Sequence, residues 1–161
     1  DDIDLTVNPG GRPCHCGSRG CLTVEADATA LLHPDARDVP RGHAGPELEA
    51  AARRVVASAA VDPRAREAVT RVADHLATAL TGLVNILNPD LVILAGLPAE
   101  LLRSDVVSLT DMVRAHTLLH VAPLTAAQID DATLLGAAEY AFDPLLRDPI
   151  ARLAARGCGA P

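Results

Sequence analysis

The chain contains no lysine and no tryptophan, and only one tyrosine, one phenylalanine and one methionine among its 161 residues. With aromatics at 1%, any core has to be built from leucine, valine, isoleucine and alanine, and the stacking platforms that grip single-stranded nucleic acid are missing. The 14 basic residues, all arginine, face 21 acids, and the net charge of −7 argues against a polyanionic partner for this segment. No apolar run approaches the ~18 residues of a membrane-spanning helix. The start, Asp1-Asp2-Ile3-Asp4, is neither a secretion signal nor a transit peptide. These absences lead to the expectation of a cytoplasmic protein without a membrane partner. There is also no initiator methionine, so the chain reads as a fragment that begins in mid-pattern.

What is present is ordinary globular material. The chain is 49% hydrophobic and 22% charged, which excludes disorder, and it is long enough for one compact domain. The four cysteines are unevenly placed: Cys14, Cys16 and Cys21 cluster, whereas Cys158 lies in the tail. Close clustering without an export signal reads as a metal site before a disulfide framework.

Along the chain, Leu5 to Val7 can finish a strand, and Asn8-Pro9-Gly10-Gly11-Arg12-Pro13 can only turn. Leu22 to Leu32 is predicted helical, residues 33–46 form a loop, and Pro46 opens a helix from Glu47 to Ala60. Asp62 caps the most strongly periodic segment, in which Val69, Val72, Leu76, Leu80, Leu83 and Leu87 recur at spacings of three and four. That stripe predicts a helix of about 25 residues, roughly 38 Å long. Leu91 to Ala95, apolar on both faces and followed by Gly96, reads as a central strand covered on both sides. A helix from Glu100 to about Thr117, broken near Ser104-Asp105, should follow, then a strand over Leu119 to Pro123. Asp130 or Asp131 caps a last main helix that Pro144 should kink or stop, and a short helix spans Pro149 to Arg156. Helix and strand alternate in the manner of an α/β protein, and residues 1–161 read as a single unit with a cysteine loop at 8–23 and a core over 46–150.

The specific chemistry lies in Cys14-His15-Cys16-Gly17-Ser18-Arg19-Gly20-Cys21-Leu22. Glycines at 17 and 20 allow a tight knuckle, and soft thiolates suit Zn²⁺, which takes four ligands tetrahedrally at a Zn–S distance near ~2.3 Å. The cluster itself supplies three donors, and His15 between two of them should point away. Free thiols or a local disulfide are the plainer readings of the same residues. His75 and His116 fall on helices, where a lone histidine is usually partly buried or solvated.

This loop resembles the Cys-x-Cys-Gly-x-x-Gly-Cys-Leu-Glu signature of the ROK family (repressors, open reading frames and sugar kinases). The similarity continues through Leu83 to Gly96, with Asn88-Pro89-Asp90 at its centre, and through Leu134-Leu135-Gly136-Ala137-Ala138-Glu139-Tyr140-Ala141. It implies the C-terminal lobe of an actin-like, ribonuclease H-like ATPase and sugar-kinase fold, with the N-terminal lobe, its phosphate loop and its catalytic Asp missing. Family members carry Glu-x-Gly-His before the cysteines and a Glu after Cys-Leu. Those positions are Asp1, Ile3 and Asp4, and Thr23, so Asp1, Asp4 and Thr23 fall at sugar-contact positions and Asp4 at that of the fourth zinc ligand. Gly96 falls where related kinases approach ATP, although ATP is not expected on this chain alone. The tail Asp143 to Pro149 resembles the family's repressors more than its kinases. The implied function is sensing of a sugar or sugar-phosphate effector, and homo-oligomerisation, in a non-catalytic transcriptional regulator that reaches DNA through a missing helix-turn-helix. Half of a sugar kinase transferring phosphoryl to a hexose, or a ligand-free zinc-loop module, are the alternatives.

Overall fold

The computed structural model describes residues 4–33, 45–104, 106–118, 122–129 and 132–150. The chain divides into two compact units between Ala127 and Gln128. The first contains α1 (Leu22–Glu25), α2 (Ala28–Leu32), α3 (Pro46–Ser58), α4 (Pro63–Leu87), β1 (Val92–Leu94), α5 (Leu97–Arg103), α6 (Leu109–Arg114) and β2 (Leu124–Ala126). The second holds α7 (Ala132–Arg147).

Helix α4 organises the first unit. Its start follows from Asp62, whose carboxylate accepts from the Arg64 amide at 2.9 Å, and from Pro63 at the first helical position. Its end follows from Asn88, which adopts φ 45° and ψ 55° and returns its amide to the Val84 carbonyl at 2.9 Å. Ala65, Val69, Val72, Leu76, Leu80 and Val84 recur every three to four residues and are buried, with Ala68, Ala73, Ala77 and Ala79 widening the stripe. Leu87, read as part of this stripe, is exposed because the last turn runs past the core. Leu31 of α2, Ala52 and Val56 of α3, Leu101 of α5 and Leu109 and Val113 of α6 form one continuous cluster with Ala65, Ala68, Val69, Val72, Leu76, Ala77 and Leu80 of α4. Alanines make up much of this cluster, and among the described residues no aromatic side chain belongs to it.

Elsewhere the structure redraws the expected boundaries. The helix expected over 22–32 is two helices, because Asp27 takes an extended conformation and its carboxylate accepts from the Ala30 amide at 2.6 Å, starting a new helix. The segment from Glu100 is likewise two helices, the first already begun at Leu97 and the second capped by Ser108. Strands β1 and β2 pair in parallel, Val92 opposite Leu124 and Leu94 opposite Ala126. The second strand therefore follows Pro123 instead of ending there, and residues 119–121 lie outside the described ones. Proline brings no amide, but its carbonyl accepts from Val92 at 3.0 Å and so enters the ladder. Strand β1 is not covered on both faces: Leu94 is buried and Ile93 is 62% exposed. In the second unit α7 continues past Pro144 to Arg147, whose Nε donates to Asp143 Oδ1 at 2.8 Å across the proline. The loop at 34–44, the caps Asp130 and Asp131, and residues 151–156 of the last short helix lie outside the described residues.

Leu101 is fully buried, so Leu101→Ala should lower stability by about 2–5 kcal/mol. Ile93→Ala, at an exposed position, should cost about 0.5 kcal/mol or less. Urea unfolding of the two variants checks this, and equal losses would remove Leu101 from the core.

Candidate metal centre

The cysteine loop is built by its backbone. The amides of Val7 and Asn8 both donate to the Gly20 carbonyl at 2.8 and 3.0 Å, Gly20 donates to the Arg12 carbonyl at 2.8 Å, and Leu22 donates to the Leu5 carbonyl at 2.7 Å. Within the knuckle, Cys14 donates to the Ser18 carbonyl at 2.9 Å and Gly17 to the Cys14 carbonyl at 3.1 Å. Gly17 and Gly20 take the positive φ values, 90° and 70°, that the sequence called for. Gly20 has a second reason to be glycine: a Cβ there would lie 1.6 Å from the Asn8 carbonyl oxygen.

This folding brings together Asp4, Cys14, Cys16 and Cys21, one donor atom from each lying within 4.8 Å of all the others. The Cys16 and Cys21 sulfurs are 3.6 Å apart, and Cys14 Sγ is 3.5 Å from Asp4 Oδ2. A tetrahedral ion with Zn-like bond lengths requires about 3.8 Å between sulfurs and about 3.5 Å between sulfur and carboxylate oxygen. The donor set therefore fits a divalent ion of that kind. All three cysteines are free thiols, so the local-disulfide reading is set aside. Cys158 lies outside the described residues.

Their environments differ. Cys21 is 2% exposed, and loss of hydration, reinforced by the Cys16 and Cys14 thiols and the Asp4 carboxylate, pushes its pKa up to about 12. For Cys14 the Cys16 amide pulls downward, but burial, the Cys16 thiol and Asp4 outweigh it and leave the pKa raised. Cys16, exposed, is lowered by the Ser18 amide first and then by its two thiol neighbours. Asp4 loses some hydration, which pushes upward, yet hydrogen bonds from the Thr23 hydroxyl and amide bring it below the usual value.

The other expected site residues separate. Thr23 is exposed beside the centre, but its hydroxyl hydrogen is committed to Asp4 Oδ2 at 2.7 Å. Gly96 lies between β1 and α5, where its φ of 61° and ψ of −140° suit glycine. His15 is exposed with Nδ1 3.7 Å from Cys14 Sγ, and it is not one of the four convergent donors. Asp1 lies outside the described residues.

A second group, missed in the sequence, ties the loop to the helices. Glu25 is 5% exposed, and its Oε1 accepts from the Arg12 amide at 2.7 Å and from Asn8 Nδ2 at 3.3 Å. Its Oε2 lies 3.7 Å from Nε2 of His75 on α4. Arg12 Nη1 donates to the Val24 carbonyl at 2.8 Å and lies 3.8 Å from Asp27 Oδ1. No local pattern in the sequence marks Glu25, because its partners Arg12, Asn8 and His75 lie 13 to 50 positions away.

Two outcomes are expected. Gly20→Ala should abolish metal retention by forcing the 6–8 and 20–22 segments apart, while Gly17→Ala, with open space around it and only backbone strain of about 1–2 kcal/mol, should retain the metal more weakly. Metal analysis after gel filtration distinguishes them, and equal retention would refute the packing argument. Because thiols bind metal only as thiolates, and Cys14 and Cys21 hold protons at neutral pH, uptake should release at least two protons. Affinity should then rise with pH by roughly a hundredfold per unit, as read by chelator competition at two neutral pH values. A flat profile would contradict it.

A family model for the ROK family matches residues 4–143. Among curated proteins, a glucokinase of Thermotoga maritima is 34% identical over 100 residues, which is 57% of this chain and 32% of that protein. A glucokinase of Halalkalibacterium halodurans is 33% identical over 102 residues, 57% of this chain and 31% of that one. Among solved structures, a ROK family transcriptional regulator, a homolog of the E. coli MLC protein, superposes with a TM-score of 0.60 at 20% identity, over 80% of this chain and 34% of that one. The chain thus spans about a third of the length of these relatives, and the structural likeness establishes a shared α/β fold. The match over residues 4–143 runs from Asp4 at the candidate metal cluster into α7, and the chain belongs to the ROK family.

Proposed function

We propose that this chain is the effector-sensing and oligomerisation part of a ROK-family transcriptional regulator, folded as the C-terminal lobe of an actin-like architecture. Zinc, held by Cys14, Cys16, Cys21 and Asp4, braces the loop. The effector is a sugar or sugar phosphate, the protein works in the cytoplasm, where thiols stay reduced, and DNA contact belongs to another segment. The ion would supply cross-linking, without chemistry on a substrate. The loop so fixed is joined to α4 through Glu25 and His75, so an effector at the loop bears on the core helix. An effector that favours one arrangement shifts the population between DNA-binding and released states.

The observation that carries a regulator over a kinase is Thr23. A carboxylate at that position takes two sugar hydroxyls, whereas the Thr23 hydroxyl hydrogen is turned to Asp4. A regulator needs only differential affinity for its two states, whereas phosphoryl transfer requires close alignment of the attacking hydroxyl. The structural likeness to a ROK regulator supports this reading. A second reading, the C-terminal half of a sugar kinase, is favoured by the glucokinase relatives at 34% and 33% identity.

The protein carrying the complete gene product decides between them. It should hold one zinc per chain, lose it in Cys14→Ser, release heat when titrated with hexoses, amino sugars or their phosphates, and transfer no phosphate from ATP. Phosphoryl transfer would establish the kinase instead. Bound zinc with no heat from any sugar would reduce the loop to an interaction module.

A further inference from the structure

We propose that Thr23 is the positioning residue that makes Asp4 a metal ligand, so that the pair acts as one coordinating unit. The inference rests on the metal-centre reading above and specifies how its fourth donor is secured. An aspartate on an extended segment has two free side-chain torsions, and ordering them costs free energy that a ligand must recover. Here both oxygens are already engaged. Thr23 Oγ1 donates to Oδ2 at 2.7 Å, and the Thr23 amide donates to Oδ1 at 3.3 Å. Two bonds from one residue to the two oxygens of one carboxylate fix the plane of that group as well as its place. In this orientation Oδ2 stands 3.5 Å from Cys14 Sγ, the separation that a shared tetrahedral ion demands.

Thr23 is itself well anchored. It is the second residue of α1, where an amide has no acceptor within its own helix, and the N-cap residue Cys21 makes no side-chain cap. The Asp4 carboxylate takes that amide instead, joining the segment before the loop to the helix after it. The Leu22 amide and Leu5 carbonyl, bonded at 2.7 Å, hold the two backbones at the same level. Residue 23 thus acts on the metal from outside the donor set, through the orientation of residue 4. Neither sugar contact nor catalysis is required of it. Outer partners of this kind commonly change metal affinity by about 10- to 100-fold when removed.

The test uses Co²⁺ as the probe on the full chain, reading thiolate-to-cobalt charge-transfer and ligand-field absorption, with competition by Zn²⁺ for affinity. Thr23→Val keeps the shape and the amide but removes the hydroxyl; it should weaken binding about 10- to 100-fold and shift the ligand-field bands. Thr23→Ser should restore both to near wild type. In an Asp4→Ala background, Thr23→Val should have no further effect, because its route to the metal is gone. Wild-type binding by Thr23→Val, or an equal loss in the Asp4→Ala background, overturns the proposal, since the residue then acts on the fold alone. Absence of any thiolate charge-transfer band in the unaltered chain would overturn the metal centre itself. That failure is distinct from loss of the Thr23 effect alone.

Discussion

The backbone pairing of residues 5–8 with residues 20–22 determines where every donor of the candidate metal centre falls. Three amides, from Val7, Asn8 and Leu22, cross between these segments, and the Gly20 carbonyl accepts two of them. The approach is close enough that only glycine fits at 20, so the register cannot slide by a residue without a collision. Once it is set, Asp4 lies level with Thr23, and Cys21 lies inside the loop facing Cys16. The thiol cluster then has a small apolar footing of its own, Cys14, Cys21 and Val24, separate from the main core. So small a footing cannot hold a loop by burial alone, and the remaining hold must come from polar contacts or an ion.

Part of that hold is the Glu25 group. A buried carboxylate is costly to desolvate unless its lone pairs are taken up, and Glu25 has an amide, a side-chain amide and an imidazole within reach. The partners come from two separate stretches: Asn8 and Arg12 from the loop, and His75 from α4. Gly11 is small because Glu25 comes so near: a Cβ there would lie 2.0 Å from Oε1. The Glu25–His75 contact ties the loop to the long helix. That helix contributes its buried face to the main hydrophobic cluster.

Elements with strong local signals were legible in the sequence. Helix α4 combines a capping aspartate, a proline at its first position, a sustained apolar stripe and an asparagine that can turn left-handed, and its residues agree with one another at each level. The cysteine knuckle was legible for a similar reason, since thiols and glycines at that spacing serve few other ends. What was hidden depended on residues meeting from afar. Asp27 looked like one more polar helix residue until its extended backbone showed it to be a cap. Strand β2 was displaced past Pro123 because a proline that uses only its carbonyl looks, in sequence, like a terminator. Glu25 and His75 stand 50 positions apart, and no local pattern announces that they face each other. The exposed side of β1 was misread for a related reason, as an apolar strand reports what its faces can tolerate and not how many are covered.

Positions 4 and 23 depart from the ROK pattern together, and hydrogen-bond polarity gives a reason. A ligating imidazole has a second ring N–H to give, and a carboxylate opposite it is a natural acceptor. A ligating carboxylate has only lone pairs to offer, so a carboxylate opposite it would add repulsion where a bond is needed. Replacing His by Asp at 4 thus asks for a donor at 23, and Thr supplies one through its hydroxyl beside the amide already there. Two changes that would each disturb the site alone become compatible when made together. What the structure shows at this pair is a donor meeting an acceptor: the Thr23 hydroxyl and amide both point to the Asp4 carboxylate. On the proposed reading, the Asp4–Thr23 pair secures the loop as a brace and leaves position 23 without a carboxylate to hold a hexose for reaction.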